Sequence, residues 1–494
     1  MHIKPTVFRE YDIRGIAGSG FAPAAIAEFE KWYGPFPGIT ITLEGAEAIG
    51  KGFGTIIRRA GGKRVVVGRE RRPFADELTS AFIRGTRSTG CDVTDLGESL
   101  TPIAYFTTAC EKFDGGVNVT GSHNVYFYNG FKMMKRDVWP IFGEELQRMR
   151  EMIEAEDFVK DREGVYELFD GFKTYKKYYL DHIHLARKVR MVLDTGNGSA
   201  GLFAPELFRA LGCEVIEQHT DPDPSFPNHV PDPEARQNMV DLCDRVRAEG
   251  AELGIGLDAD GDRVGFVNER GEYVDADSII LALSKDILLR NPGKKILFDV
   301  KCTQLLLELI PTFGGVPLMH HTGHAPIKQT MRQDEAIIFG AETSGHMYFV
   351  EDYFKIDDGL FAAGRVLELY AKSTKPFSAL YADFPERIRT PEIKLPCADE
   401  KKFEIVGQIQ QRLGSQYSSR TIDGVRIQFS KTGWGLVRAS NTSPYLTVRV
   451  EAESEAEVLK IKNILANELE KFPEVGDRLN RASPFTLTGR LGWV

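Results

Sequence analysis

Three aspartates alternate in Asp258-Ala259-Asp260-Gly261-Asp262-Arg263, between the apolar runs Leu253–Leu257 and Val264–Val267. Carboxylates spaced this way in a glycine-containing turn can converge on one hard divalent cation, which takes oxygen ligands. A merely solvated acidic turn is the weaker account, because three stacked like charges repel one another without a cation. An EF-hand also begins D-x-D-x-D, and Glu269 falls at its twelfth position. Its sixth position, where the sharp turn needs glycine, is Arg263, and the flanks read as strands where an EF-hand has helices. The pattern favours Mg2+ with open positions for a phosphate oxygen.

Three other segments carry polar groups that can steady a phosphate or read hydroxyls. In Val117–Lys132, a strand-like run ends in Thr120-Gly121-Ser122-His123-Asn124. Ser122 then sits on a tight turn beyond a strand's carboxyl end, where open α/β sheets position reactive groups. The pattern is not G-x-S-x-G, so an esterase elbow is unsupported. Taken alone, a Ser-His pair on a turn is more often only turn chemistry. Lys132 adds a cation that can steady a phosphate or exchange protons with a hydroxyl. Gly340–His346 alternates Glu342, Ser344 and His346, able to read vicinal hydroxyls, although an ordinary glycine-bounded turn has the same composition. Arg438-Ala439-Ser440-Asn441-Thr442-Ser443-Pro444 offers a guanidinium fork, hydroxyls and an amide around a dianion, against a plain polar hairpin. Arg449, on the returning strand, adds charge to that loop or serves only as a surface residue. Gly196–Gly201 satisfies G-x-G-x-x-G, but a tight strand-to-helix turn accounts for it better than a dinucleotide site.

The elements that position these loops are strand–helix pairs. Lys63–Gly68 precedes a helical stretch at 74–90, Val189–Asp194 precedes Ala204–Leu211, and Lys295–Asp299 precedes Thr303–Ile310. Short aliphatic runs before periodic apolar segments indicate βαβ units and mostly parallel sheets. From about Phe403 the pattern becomes a helix, alternating strands at 424–429, 435–439 and 445–451, and a last helix Glu455–Leu469. The expected organisation is three similar mixed α/β domains, 1–166, 167–272 and 273–384, and a smaller α+β domain, 385–494. The Gly-, Pro- and aromatic-rich segment Ala17–Gly45 reads as a loop with one short helix.

A chain of 494 residues exceeds a single core, which stops growing at roughly 250–300 residues. The net charge of −9 opposes binding to nucleic acid or to an acidic membrane, both of which require a basic face. Six cysteines without CxxC spacing read as reduced thiols. A charged beginning and the absence of a long apolar run predict a cytoplasmic protein.

Together these segments resemble the α-D-phosphohexomutase superfamily, and within it the bacterial phosphomannomutase/phosphoglucomutase enzymes. Phe8–Gly15 is similar to the opening motif, TGSHN with Asn129–Lys132 to the phosphoserine loop, and DADGDR to the metal loop. GAETSGH is similar to the sugar loop and RASNTSP to the phosphate loop, all in the family's order. The resemblance implies four domains around a central cleft and transfer of a phosphoryl group between C1 and C6 of mannose or glucose. The route is phosphorylated Ser122 and a hexose 1,6-bisphosphate. It assigns Mg2+ to Ser122, Asp258, Asp260 and Asp262, and the transferring group to Arg14, His123 and Arg263, with Lys132 as general acid/base. Glu342, Ser344 and His346 hold hydroxyls, Lys301 and His324 contact the sugar, and Tyr11 lines the cleft. Arg438, Ser440, Asn441 and Thr442 grip the distal phosphate. The partner is a phosphorylated hexose, and the chain is expected as a monomer or dimer. A phosphoglucosamine mutase, a metal-dependent sugar phosphatase and a sugar-phosphate sensor are the competing readings. Two departures stand out: Asn124-Val125-Tyr126-Phe127 replaces the usual Asn-Pro-Pro, and Ala17–Gly45 is unusual in its place.

Overall fold

The computed structural model describes residues 3–18, 21, 23, 26, 27, 29, 30, 35–441 and 444–481. Four sheets follow one another along the chain. The first contains β1 (Ile13–Ile16), β2 (Arg64–Arg69), β3 (Asp92–Glu98), β4 (Gly115–Val119), β5 (Tyr128–Lys135), β6 (Trp139–Pro140) and β7 (Tyr166–Leu168). The second contains β8 (Arg190–Asp194), β9 (Glu214–Gln218), β10 (Leu253–Leu257), β11 (Val264–Val267) and β12 (Tyr273–Val274). The third contains β13 (Lys295–Asp299), β14 (Val316–His320), β15 (Ile337–Ala341) and β16 (Met347–Phe349).

The three share one plan. Three neighbouring parallel strands, β3-β2-β4, β9-β8-β10 and β14-β13-β15, are followed by an antiparallel return strand, β5, β11 or β16. The central strands of each trio are aliphatic runs buried on both faces, as parallel strands covered by helices must be. The joint between the third parallel strand and its return strand carries a candidate loop in all three sheets: Ser122 after β4, Asp258–Arg263 after β10, and Glu342–His346 after β15. An EF-hand is thereby excluded, since its acidic loop would lie between helices.

The fourth sheet is antiparallel: β17 (Ile388–Arg389), β18 (Ile393–Pro396), β19 (Ser418–Arg420), β20 (Val425–Gln428), β21 (Trp434–Ala439) and β22 (Tyr445–Ala452), backed by helices Asp399–Gly414 and Glu455–Leu469. It has its own core, including Leu395, Ile409, Val437, Leu446 and Leu465. Leu100 and Phe106, Leu193 and Leu257, and Phe298 and Phe339 belong to one continuous cluster that joins the first three units and also takes in Trp434 and Leu436 of β21. The first sheet extends through Leu168 and the second through Val274, each two residues past the expected joint, because β7 and β12 still pair with them.

The Ala17–Gly45 expectation needs correction at its end: helix Leu43–Arg59 starts inside it, with Thr42 capping Gly45 N at 3.1 Å. Four glycines (Gly45, Gly50, Gly52 and Gly54) disguise this helix. At least one is required by packing, since a Cβ on Gly50 would sit 2.2 Å from the Phe82 carbonyl oxygen of helix Ala75–Arg87. All six cysteines are free thiols. Among the described residues, no helix is long and apolar enough to cross a membrane.

Candidate active site

Ser122 lies on the turn between β4 and β5, with a backbone φ of +51°, and is 2 % exposed. A non-glycine residue in this region costs on the order of 1 kcal/mol, so the surroundings must impose it. Thr120 Oγ1 accepts from Ser122 N at 2.7 Å, and the Asn124 side chain donates to Gly121 O at 2.9 Å. Below the turn lies a wholly buried Glu70–Arg72 pair. Glu70 Oε2 accepts from Thr120 Oγ1 (2.5 Å) and Gly121 N (3.1 Å). Arg72 donates to the carbonyls of Asn124 (2.8 Å), Val125 (3.0 Å), Tyr128 (3.2 Å) and Ser122.

Beside the turn, the aromatic pair Tyr126 and Phe127 follows Asn124-Val125, in the segment where the family resemblance leads one to expect Asn-Pro-Pro. Their rings stack at 4.2 Å, and Phe127 meets Phe21, Phe29 and Phe36 at 4.6, 5.4 and 5.8 Å. The two sequence departures are thus in contact, forming one aromatic cluster with Ile16.

The Ser122 hydroxyl reaches the aspartate loop, with Oγ 3.3 Å from Asp258 Oδ2 and 3.3 Å from His123 Nδ1. Asp258, Asp260 and Asp262 are fully buried and bring ligand atoms within 4.8 Å of one another. Asp260 Oδ1 and Asp262 Oδ1 have no hydrogen-bond partner. Orphaned buried carboxylate oxygens converging on one point suit a hard cation. On their other side, Lys132 Nζ contacts Asp260 (2.9 Å) and Asp262. Burial works against the Lys132 charge, but Asp260 and Asp262 outweigh it and hold the ammonium well above its ordinary range. Burial, then Asp260 and Asp262, push the Asp258 carboxyl well up. Thr101, at the start of helix Thr101–Cys110, donates to Asp260 Oδ2 at 2.6 Å.

Arg14 on β1 donates to Thr120 O at 2.5 Å, beside the serine turn. Arg263 Nε donates to His346 Nε2 at 3.0 Å, so the proton of a neutral His346 ring sits on Nδ1, facing Asp357 Oδ2 (3.5 Å) and Asp262 Oδ1 (3.8 Å). Burial and then the Arg263 charge hold the His123 and His346 rings well below the usual imidazole range. His324 Nε2 lies 3.1 Å from Asp12 Oδ2, which Arg14 Nη2 also meets at 3.2 Å.

On the far wall, Glu342 accepts from Gly323 N (2.7 Å) and Tyr348 OH (2.9 Å). Burial, then Asp299, push its carboxyl up to about 7. Ser344 is buried in the same loop. Lys301 bridges Glu392 (2.9 Å) and Glu234 (3.4 Å). The fourth unit closes the cleft: Asn441 Nδ2 donates to Tyr11 OH at 2.7 Å, and Tyr11 OH donates to Thr322 O at 2.7 Å. Arg438 Nε holds Asp423 at 2.6 Å, and Ser440 lies buried beside it in the loop. Thr442 lies outside the described residues. Arg449 is not a surface residue: it is buried against Asp277 at 3.2 Å and serves the seam between the third and fourth units.

Sequence reasoning missed Glu70, Arg72, Asp12, Asp232, Glu234, Asp357, Glu392 and Asp423. Asp12 stands inside the opening motif and was within reach; the others are isolated charged residues that only the fold brings to the cleft. The glycine-rich turn at 196–201 binds main chain, as expected of a packing turn: a Cβ on Gly198 would lie 2.5 Å from Ala259 Cα of the aspartate loop.

Four family models match in series: phosphoglucomutase/phosphomannomutase alpha/beta/alpha domains I (5–160), II (171–271) and III (275–388), and the C-terminal domain (392–468). The chain is 39% identical over 465 residues to a phosphomannomutase/phosphoglucomutase of Pseudomonas aeruginosa, covering 94% of this chain and 95% of that protein. A phosphoglucomutase of Neisseria meningitidis is 35% identical, with 96% and 99% covered. The crystal structure of a phosphoglucomutase/phosphomannomutase family protein from Burkholderia thailandensis superposes with a TM-score of 0.85 at 33% identity, covering 98% of this chain and all of that one. The chain belongs to the phosphoglucomutase/phosphomannomutase family of α-D-phosphohexomutases.

Proposed function

We propose that the chain interconverts hexose 1-phosphate and hexose 6-phosphate, with mannose and glucose as the sugars, through phosphorylated Ser122 and a hexose 1,6-bisphosphate. The carrying observation is the meeting of a strained, buried serine hydroxyl with an aspartate trio, 3.3 Å from Asp258. Asp258, Asp260 and Asp262 would hold Mg2+ together with an oxygen of the Ser122 phosphoryl group. Bound there, Mg2+ supplies charge neutralisation to the phosphoryl oxygens and takes up carboxylate charge that now secures the Lys132 proton.

In the forward half-reaction the Oγ–P bond of phosphoserine breaks, a P–O bond to the free sugar hydroxyl forms, and that hydroxyl's proton ends on Ser122 Oγ. His123 Nδ1, 3.3 Å from Oγ, is in reach of this proton, and Lys132 faces the same space as a cation able to give one up. Arg14 and Arg263 flank the transferring group. The bisphosphate then turns end for end and returns its other phosphoryl group to Ser122 by the reverse step. Glu342 and His346 accept or share hydroxyl hydrogen bonds, while Arg438, Ser440, Asn441 and Thr442 receive the resting phosphate. The Tyr11–Asn441 contact supports closure by the fourth unit, which keeps water from the phosphoserine.

The names of the Pseudomonas and Neisseria relatives support mannose and glucose over glucosamine. The test follows turnover of mannose, glucose and glucosamine 1-phosphates after charging with hexose 1,6-bisphosphate. Isomer formation on the first two, with loss of turnover and of protein-bound phosphate in Ser122→Ala, is expected. An active Ser122→Ala variant, or release of inorganic phosphate faster than isomer, overturns the reading.

A further inference from the structure

A second set of metal-type donors meets outside the cleft. Asp194 closes β8, His219 follows β9, and His229 lies in the loop running on to Asp232; each offers an atom within 4.8 Å of the other two. His229 Nδ1 lies 3.0 Å from the carbonyl oxygen of Val230, which can only accept, so Nδ1 carries the proton and Nε2 of the neutral ring is bare. That bare nitrogen faces both oxygens of Asp194, each at 3.3 Å. Acceptor then faces acceptor, and something positive belongs between them: a second proton or a cation. Charge-assisted N–H···O bonds run to about 2.7–2.9 Å, shorter than this contact. Two ligands on a tetrahedral ion with bonds of about 2.0–2.1 Å are roughly 3.3–3.4 Å apart. An imidazole that donates its other N–H to a main-chain carbonyl is also the usual arrangement around a bound metal.

His219 joins this pair through a strained backbone. Its φ is +49°, and its carbonyl is pinned by Asn197 N (2.7 Å) and Thr195 Oγ1 (3.0 Å). Its Nε2 lies 3.2 Å from Asp241 Oδ2, a carboxylate on the first turn of helix Val240–Glu249. The two imidazole rings stand at 77° with centroids 5.5 Å apart, so they do not stack.

We propose that Asp194, His219 and His229 bind a late first-row divalent cation, Zn2+ foremost, at a site separate from the Asp258–Asp262 cage. Two imidazoles and one carboxylate suit Zn2+, whereas three carboxylates suit Mg2+, so the two sites sort cations by ligand type. The ion serves as a structural clamp. The turn after Asp194 packs on the aspartate loop through Ala200 N to Ala259 O at 3.2 Å, and the His229 segment continues to Asp232 and Glu234, which face Arg263 at 3.8 and 3.7 Å.

The test titrates the metal-stripped full chain with Zn2+ under excess Mg2+, and separately with Co2+, whose visible bands are intense only in tetrahedral coordination. Four proteins are compared: wild type, Asp260→Asn with the other cage disabled, His219→Gln at a partly exposed position that spares the core, and His229→Gln. One Zn2+ per chain is expected in wild type and Asp260→Asn, with intense Co2+ bands and a zinc-induced rise in melting temperature. At least a hundredfold weaker binding, and loss of the bands and of the thermal shift, is expected in both histidine variants. Zinc affinity and Co2+ spectra unchanged by His219→Gln and His229→Gln, or no zinc bound by Asp260→Asn, overturn the proposal.

Discussion

Replacing Arg72 with methionine tests whether the serine turn is held from below. The guanidinium supplies hydrogen bonds to the carbonyls of Ser122, Asn124, Val125 and Tyr128, and a partner for the buried Glu70 carboxylate. Burial already pushes the Glu70 carboxyl up even with Arg72 in place, so its charge is costly to keep alone. Removing one member of a buried ion pair costs about 3–5 kcal/mol. At about 2–4 °C per kcal/mol for a unit of this size, the first unit's calorimetric transition drops by roughly 6–20 °C. Arg72→Met with Glu70→Gln removes the stranded charge while keeping an acceptor for Thr120 and Gly121, and recovers part of that loss. Released from its strained φ, Ser122 also spends less time facing Asp258. Single-turnover transfer of labelled phosphate from hexose 1,6-bisphosphate to Ser122 then slows by about tenfold for each 1.4 kcal/mol lost in the turn. If Arg72→Met melts within a degree or two of wild type and charges at the normal rate, the clamp argument is wrong.

Three further outcomes are expected. Glu342, raised to about 7 by burial and Asp299, must be ionised to accept sugar hydroxyls, so KM rises by up to about tenfold per pH unit below 7. Because its folded-state pKa lies above the ordinary 4.5, the stability it contributes is full below about 4.5 and fades as pH climbs through 7. Glu342→Gln flattens the KM limb, and a limb that persists belongs to another group. Chelation by EDTA abolishes turnover and added Mg2+ restores it in wild type, while Asp260→Asn stays at least about a hundredfold slower with Mg2+ present; full activity in EDTA refutes the metal's role. Tyr11→Phe removes the hydroxyl joining Asn441 to Thr322 and raises KM about five- to tenfold with little change in melting temperature; an unchanged KM places the contact outside the catalytic cycle.

The sequence disclosed the loops and not their supports, for a physical reason. Asp258–Arg263 and Thr120–Asn124 pack several unusual residues into a few positions, and flanking aliphatic strands mark where they sit. Glu70 and Arg72 stand in Arg69-Glu70-Arg71-Arg72, where Arg71 pairs with part-exposed Glu98 and Arg72 is wholly buried; no local pattern separates the two. Asp357 and Asp423 likewise gain meaning only from β16 and β20 lying beside the cleft. Helix Leu43–Arg59 was hidden because glycine lowers helix propensity by about 1 kcal/mol, a cost that its close crossing against Ala75–Arg87 offsets. Helix Glu455–Leu469 is legible to the residue, having a Ser454 cap and regular apolar spacing, but it is not the final one: the short helix Arg478–Arg481 follows in a stretch without apolar periodicity.

In place of the proline pair that the family resemblance leads one to expect after Asn124, this chain leans its serine turn on side chains from a distant stretch. Phe21, Phe29 and Phe36 have Phe127 as their common neighbour. Replacing Phe127 by a small residue would therefore bare three phenylalanines, and deleting the phenylalanine stretch would leave the turn unsupported. Either change alone is a loss, so the two regions can be exchanged between relatives only as a pair.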